Sequence, residues 1–140
     1  MPTRKAEAVW EGTLKGGNGT FKGQTGLTGS YNFGSRFEEA AGSNPEELLA
    51  AAHAACYSMA LSGALERNGT PSKSIKTEAF CTVEKVDAGF KITTMKLVSR
   101  ATVPGIENAA FQEIAAKVKD GCPVSGALKG VNIELDAQLA

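Results

Sequence analysis

The sequence predicts an α+β fold in the order βββ-α-ββ-α-α-β. Strands fall in adjacent runs rather than one per helix, which excludes a doubly wound α/β arrangement. One long apolar helix, with its own start and stop signals, separates the first run from the second. A last alternating segment follows two shorter helical stretches.

The first forty residues are rich in Gly, Thr and aromatics and carry turn signals at Gly16-Gly17-Asn18-Gly19 and Gly26 to Gly29. They read as a three-stranded meander over about 6–14, 20–23 and 30–37, with the Tyr31/Phe33 alternation supporting the third strand. Ser43-Asn44-Pro45-Glu46-Glu47 then starts a helix. Asn44 can cap it, Pro45 suits the first helical position, and Glu47 has the spacing of a capping box. That helix should run to about Arg67, where Asn68-Gly69-Thr70-Pro71 ends it. Two strands, about 74–86 and 90–103, follow around Asp87-Ala88-Gly89, with Ile75, Ala79, Cys81 and Val83 on one face of the first. Phe111, Ile114, Ala115 and Val118 mark a helix ending near Gly121. A short helix from Pro123 and a strand with Val131, Ile133, Leu135 and Ala137 alternating complete the chain.

At 140 residues the length fits a single domain, 1–140. Hydrophobic content of 42% and charged content of 21% fit a soluble globular protein. Fifteen basic residues balance fifteen acidic ones, so no surplus charge argues for nucleic acid or an anionic membrane. The N-terminus has no apolar signal-peptide core, and three cysteines, an odd count, argue against a secreted disulfide scaffold. A cytoplasmic protein is expected. Leu48 to Leu65 runs eighteen residues without a charge, near the lower limit of a membrane span. Seven alanines make it only weakly apolar and favour close protein packing instead. One small sheet does not cover a helix apolar on every face, and a homodimer that buries it from both sides is the natural remedy.

Two cysteines stand in unlike settings. Cys56 lies about eleven residues into the long helix, in Ala-Ala-His-Ala-Ala-Cys-Tyr-Ser-Met. Apolar surroundings raise a thiol's pKa, and the helix dipole has faded that far from the N-terminus, so a reactive Cys56 needs a cation from elsewhere. Of four arginines, Arg36 stands at the expected end of the third strand and is a weak candidate on composition alone. Cys122, in Gly-Cys-Pro, falls at a helix start, where free N–H groups favour a thiolate, and on this reasoning is the more acidic thiol. A buried cysteine is ordinarily a small hydrophobe, the reading preferred for Cys81 and open for both others. His53, one turn before Cys56, raises a Cys–His dyad, although a packed or dimer-contact histidine is the preferred reading. With one histidine and no Cys-x-x-Cys, a zinc site lacks ligands, and the glycine loops hold no Walker or dinucleotide fingerprint.

Arg36-Phe37-Glu38, Asn44-Pro45-Glu46-Glu47-Leu48, the helix Ala51 to Met59, Val86-Asp87-Ala88-Gly89-Phe90 and Gly121-Cys122-Pro123-Val124-Ser125 together resemble the OsmC/Ohr family, and its OsmC branch in particular. The resemblance runs from end to end. It implies an OsmC-like intertwined homodimer, with the apolar helix central to antiparallel sheets, and a cytoplasmic thiol peroxidase active in osmotic and oxidative stress. The family's peroxidatic cysteine falls on Cys56, its resolving cysteine on Cys122, its arginine on Arg36 and its glutamate on Glu46. This reverses the ranking of the thiols reached from local chemistry. The implied reaction takes organic hydroperoxides, and hydrogen peroxide more weakly, to alcohols through a sulfenic acid and an intramolecular Cys56–Cys122 disulfide. A dithiol, in the family a lipoyl protein, then reduces it, and no bound cofactor is required.

Glu46 and Cys56 are ten residues apart on one expected helix, roughly 15 Å along its axis. Glu46 of one subunit is therefore expected to serve Arg36 and Cys56 of the other, unless it merely complements the helix dipole. Two other classes compete: a non-catalytic protein binding hydrophobic ligands, and a Cys–His hydrolase built on His53.

Overall fold

The computed structural model describes all residues, 1–140. The chain forms two compact units, Met1–Leu48 and Leu49–Ala140. The first holds the antiparallel meander β1 (Ala6–Glu11), β2 (Asn18–Gly23) and β3 (Thr28–Tyr31), then a short helix α1 (Phe33–Phe37). The second holds most of helix α2 (Pro45–Arg67), then β4 (Ser74–Val86), β5 (Gly89–Thr102), α3 (Asn108–Gly121), α4 (Pro123–Ala127) and β6 (Asn132–Leu139).

The third strand departs from the sequence expectation of 30–37. Asn32 stops it: its Oδ1 accepts from the Ser35 N–H at 2.8 Å and its own N–H donates to Ser35 Oγ at 2.9 Å. That reciprocal cap turns the chain into α1, so Phe33 and Phe37 meet one helical turn apart instead of alternating in a strand (ring centroids 5.1 Å). Arg36 thus belongs to the last turn of a helix, not to a strand end. The first strand likewise ends at Glu11, short of the expected 14. Within the meander Gly19 is needed for space, because a Cβ there would lie 2.6 Å from the Tyr31 ring.

Helix α2 starts where expected. Asn44 Oδ1 accepts from the Glu47 N–H at 2.8 Å, but the Glu47 carboxylate accepts from Ser43 Oγ at 2.6 Å, so the capping box is made in one direction only. In the second unit β4 and β5 form a long antiparallel pair, and β6 joins β5 in parallel. The parallel edge corrects the expectation of purely antiparallel sheets. Helices α3 and α4 carry the chain back to the end of the sheet where β5 began, so β6 must run the same way.

The core of this unit follows from α2's four-residue spacing. His53, Tyr57, Leu61 and Leu65 form one stripe and are each fully buried. Tyr57, Leu61 and Leu65 belong to one cluster with Met95, Leu97 and Ala101 of β5, Phe111, Ala115 and Val118 of α3, and Ala137 of β6. On the opposite stripe Ala51, Ala52, Ala55, Met59 and Ser62 are exposed, Met59 at 81%. Helix α2 is long and apolar enough to cross a membrane by length and composition, yet one face is packed into a protein core.

Candidate active site

Cys122 is set by two helices meeting at one residue. Its N–H closes α3 by donating to the Val118 carbonyl at 3.0 Å, and its side chain caps α4, whose first residue is Pro123. The sulfur accepts from the Ser125 N–H at 3.5 Å and lies 3.4 Å from Ser125 Oγ. Helix-start placement was legible in Gly-Cys-Pro. Burial works to raise this thiol's pKa, but the Ser125 hydroxyl and N–H, the Cys56 thiol and the Val124 backbone outweigh it and hold the value below the ordinary one.

Cys56 flanks the buried stripe of α2 and is half-buried. The Cys122 thiol is near enough to act on its ionisation, and both residues line one groove, so two thiols 66 positions apart in sequence are neighbours. Burial raises the Cys56 pKa, as do the Cys122 thiol and its charge, against a smaller opposing contribution from the Val124 backbone. Within this unit Cys122 is therefore the readier thiolate and Cys56 the proton donor, which is the ranking expected from local chemistry. Both sulfurs border a groove of about 710 Å³ between α2 and α3. Ala60, Gly63, Ala64, Ile114 and Val118 give it an apolar lining, and Arg67 and Lys117 add cationic side chains.

The other two expected site residues pair within the first unit. Arg36 presents its fork to Glu46: Nε lies 3.2 and 3.3 Å from the two carboxylate oxygens, and Nη2 lies 3.0 Å from Oε1. Glu46 is only 5% exposed. Asn44 Nδ2 donates to the Ser35 carbonyl at 2.9 Å, and Ser35 Oγ donates to the Ser43 carbonyl at 2.8 Å, fixing α1 beside the start of α2. Planar, doubly hydrogen-bonded pairing of this kind holds a guanidinium in one orientation. It corrects part of the expected arrangement, because Glu46 serves the Arg36 of its own chain. Ten residues separate the two in sequence, and the capped turn at Asn32 is what returns α1 to the helix start.

His53 engages neither Cys56 nor a carboxylate. Its Nε2 lies 2.7 Å from Ser125 Oγ and its Nδ1 has no hydrogen-bond partner. A Cys56–His53 dyad does not form. Burial alone pushes the imidazole pKa below its ordinary value. Ser125 touches both His53 and Cys122, and sequence reasoning missed it. The signal was present: Cys-Pro-Val-Ser puts Ser125 three residues after the cap, where a capping side chain finds its N–H partner. Cys81 is half-buried against the core, as expected of a filler.

A sequence profile of the family described as OsmC-like protein matches residues 38–136. Peroxiredoxin OsmC of Escherichia coli (strain K12) is 49% identical over 138 residues, which cover 97% of this chain and 96% of that protein. An organic hydroperoxide resistance protein of Xanthomonas axonopodis pv. citri (strain 306) is 32% identical over 101 residues, 71% of this chain and 68% of that one. Among solved structures, the organic hydroperoxide resistance protein OhrB of Bacillus subtilis superposes with a TM-score of 0.74 at 24% identity, over 96% of this chain and 98% of that one. An OsmC-like protein from Mycoplasma pneumoniae gives 0.76 at 16% identity, over 99% and 98% of the two chains. At those identities the structures speak to the fold alone, and it is the same α+β fold. By profile, by near full-length sequence identity and by architecture, this chain belongs to the OsmC-like family.

Proposed function

We propose that this chain, a thiol-dependent peroxidase by its family, reduces organic hydroperoxides through Cys56 and recycles through a Cys56–Cys122 disulfide. The observation that carries the reading is the nearness of the two thiols at the edge of an apolar groove. The Cys56 thiolate attacks the terminal peroxide oxygen, the O–O bond breaks, and the alkoxide leaves as the alcohol after taking a proton. Cys56 is left as a sulfenic acid. Cys122 condenses with it, expelling water, before further peroxide drives it to the irreversible sulfinic state. A dithiol then reduces the disulfide by exchange, and a lipoyl dithiol is the reductant class that the family suggests.

Arg36 supplies the cation that Cys56 requires, with Glu46 holding the guanidinium in orientation. Cys56 is otherwise raised by burial, and a nearby guanidinium lowers a thiol's pKa and steadies charge developing on the peroxide. The exposed stripe of α2 supports a homodimer, since a contiguous apolar surface of that kind marks an interface. A dimer in the cytoplasm, without nucleic acid or membrane as partner, fits the balanced charge.

Counting free thiols after a slight excess of alkyl hydroperoxide tests the reading. Loss of two thiols per chain, restored by a dithiol and mapped to Cys56 and Cys122, is the expected result. Recovery of Cys81 in the main disulfide overturns the assignment. A protein that only binds hydrophobic ligands is favoured by the same groove, but it predicts that the thiol count stays at three.

A further inference from the structure

We propose that His53 is a positioning residue for the second half of the reaction, taking the proton of Cys122 through the Ser125 hydroxyl as the disulfide forms. This rests on the two-cysteine reading above and concerns a residue that reading leaves without a task.

The geometry is a continuous line of groups. Cys56 and Cys122 are neighbours that line one groove, the Cys122 sulfur lies 3.4 Å from Ser125 Oγ, and that oxygen lies 2.7 Å from His53 Nε2. Cys122, Ser125 and His53 are 1%, 4% and 0% exposed, so bulk water reaches none of them directly. A thiol buried this way has to give its proton to a protein group. Hydroxyls donate and accept at once, and a neutral imidazole accepts.

His53 is also poorly explained as a packing residue. A buried structural histidine ordinarily satisfies both ring nitrogens, whereas here Nδ1 has no partner and the single bond goes to the hydroxyl beside the thiol. The groups around the line leave the imidazole free to cycle. From α2 they are Cys56 and Tyr57, whose hydroxyl donates to the Ala115 carbonyl at 3.1 Å. From the junction of α3 and α4 it is Cys122. No carboxylate or ammonium group acts on the ionisation of His53, and burial is the one influence on it. An imidazole so placed is neutral at rest and returns its proton readily.

The step balances without any other reactant. The Cys122 S–H proton passes to Ser125 Oγ while the Ser125 hydroxyl proton passes to His53 Nε2. The electron pair on the Cys122 sulfur forms the S–S bond, and the S–O bond of the Cys56 sulfenic acid breaks with its pair on oxygen. The sulfur of Cys56 is reduced as that of Cys122 is oxidised. The departing hydroxide takes a proton from the Ser125 hydroxyl and leaves as water, and the imidazolium returns its proton to the Ser125 oxygen.

Single-turnover kinetics on the full-length protein test this. A dimedone-type probe follows sulfenic acid formation at Cys56, and thiol loss at Cys122 follows disulfide closure. His53→Gln retains a donor at the end of the side chain but cannot take a proton, and Ser125→Ala removes the link. In both, closure should slow at least tenfold more than sulfenic acid formation does, and the pH profile of closure should move upward. Ser125→Thr, which restores a hydroxyl, should recover most of the rate and the original profile. Under excess hydroperoxide the two impaired variants should accumulate sulfinic acid at Cys56, visible by mass.

Closure at wild-type rate in both variants overturns the relay. So does equal slowing of both steps with an unmoved pH profile, which is what mere loss of packing produces. A wild-type protein that forms no Cys56–Cys122 disulfide with hydroperoxide overturns the peroxidase reading itself, a separate outcome.

Discussion

At the scale of single residues, the candidate side chains include a charged pair in the first unit and, in the second, a histidine that is kept from carrying charge. Arg36 is held by two hydrogen-bonded oxygens of a nearly buried carboxylate. Lysine in its place keeps the charge but not the fork, so it cannot hold Glu46 and still orient a peroxide. Arg36→Lys should lower kcat/KM for an alkyl hydroperoxide roughly 10- to 100-fold, the equivalent of one charge-assisted hydrogen bond. Steady-state turnover with a dithiol measures it, and a wild-type rate would remove Arg36 from the site. His53 is the residue kept neutral. Its folded pKa lies below the ordinary 6.5, so the unfolded chain binds more protons wherever the two differ. The stability this confers is complete above about pH 6.5 and is lost as pH falls toward the folded value, by at most about 1.4 kcal/mol per pH unit. Melting curves between pH 8 and 5.5 should show that loss in the wild type and a flatter dependence in His53→Gln. Equal slopes would mean that His53 does not titrate on unfolding. The motifs put forward both cysteines, Arg36 and Glu46 together, since each sits in a run whose residue order resembles the family's. Ser125 and the buried fit of His53 were not, because a contact across 72 positions leaves no trace in local pattern.

At the scale of elements, helix α2 was the most legible part of the chain. Its cap, proline and terminal Asn-Gly follow local rules, and its start at Pro45 and end at Arg67 agree with them. Strand β3 was the least legible. Four residues of weak alternation were outweighed by one reciprocal cap at Asn32, a hydrogen-bond device that periodicity does not register. The parallel β6 was hidden for another reason: strand direction depends on how the intervening helices pack, not on the strand's own sequence. Small residues on α2 also shape the groove beside the thiols. Gly63 is one of its lining residues, and a Cβ there would meet only the Arg67 side-chain end, Nη1, 3.3 Å away. Gly63→Leu should therefore fold and fill the groove. An alkyl tail that buries about 100 Å² gains about 2.5 kcal/mol at 25 cal/mol per Å², whereas hydrogen peroxide gains nothing there. The variant should lose most of its preference for a bulky alkyl hydroperoxide while its rate with hydrogen peroxide changes little. An unchanged ratio of kcat/KM values would show that the tail binds elsewhere.

At the scale of the whole molecule, the exposed stripe of α2 and the rigid spacing along that helix point the same way. Glu46 and Cys56 are ten residues apart, which a straight helix converts to roughly 15 Å of axial separation and about 80° of rotation. Arg36 is tied to Glu46, so the cation is anchored at the helix start while the thiol sits near the helix middle. Alanine and methionine on the exposed stripe would let a second copy of the helix come close, bringing its own helix start alongside this thiol. The Arg36–Glu46 pair of one chain is then expected to serve the Cys56 of the other. Dimers made by co-expressing differently tagged Arg36→Ala and Cys56→Ser chains isolate the question, because each homodimer lacks one essential group at both sites. In the exchanged arrangement the intact Cys56 of the mixed dimer faces the intact Arg36, so one of two sites works and the purified mixed dimer should reach about half the wild-type rate. If the pair serves its own chain, the intact thiol has no arginine and the other site has no thiol. Mixed dimers no faster than the Arg36→Ala homodimer would place the pair and the thiol in one chain.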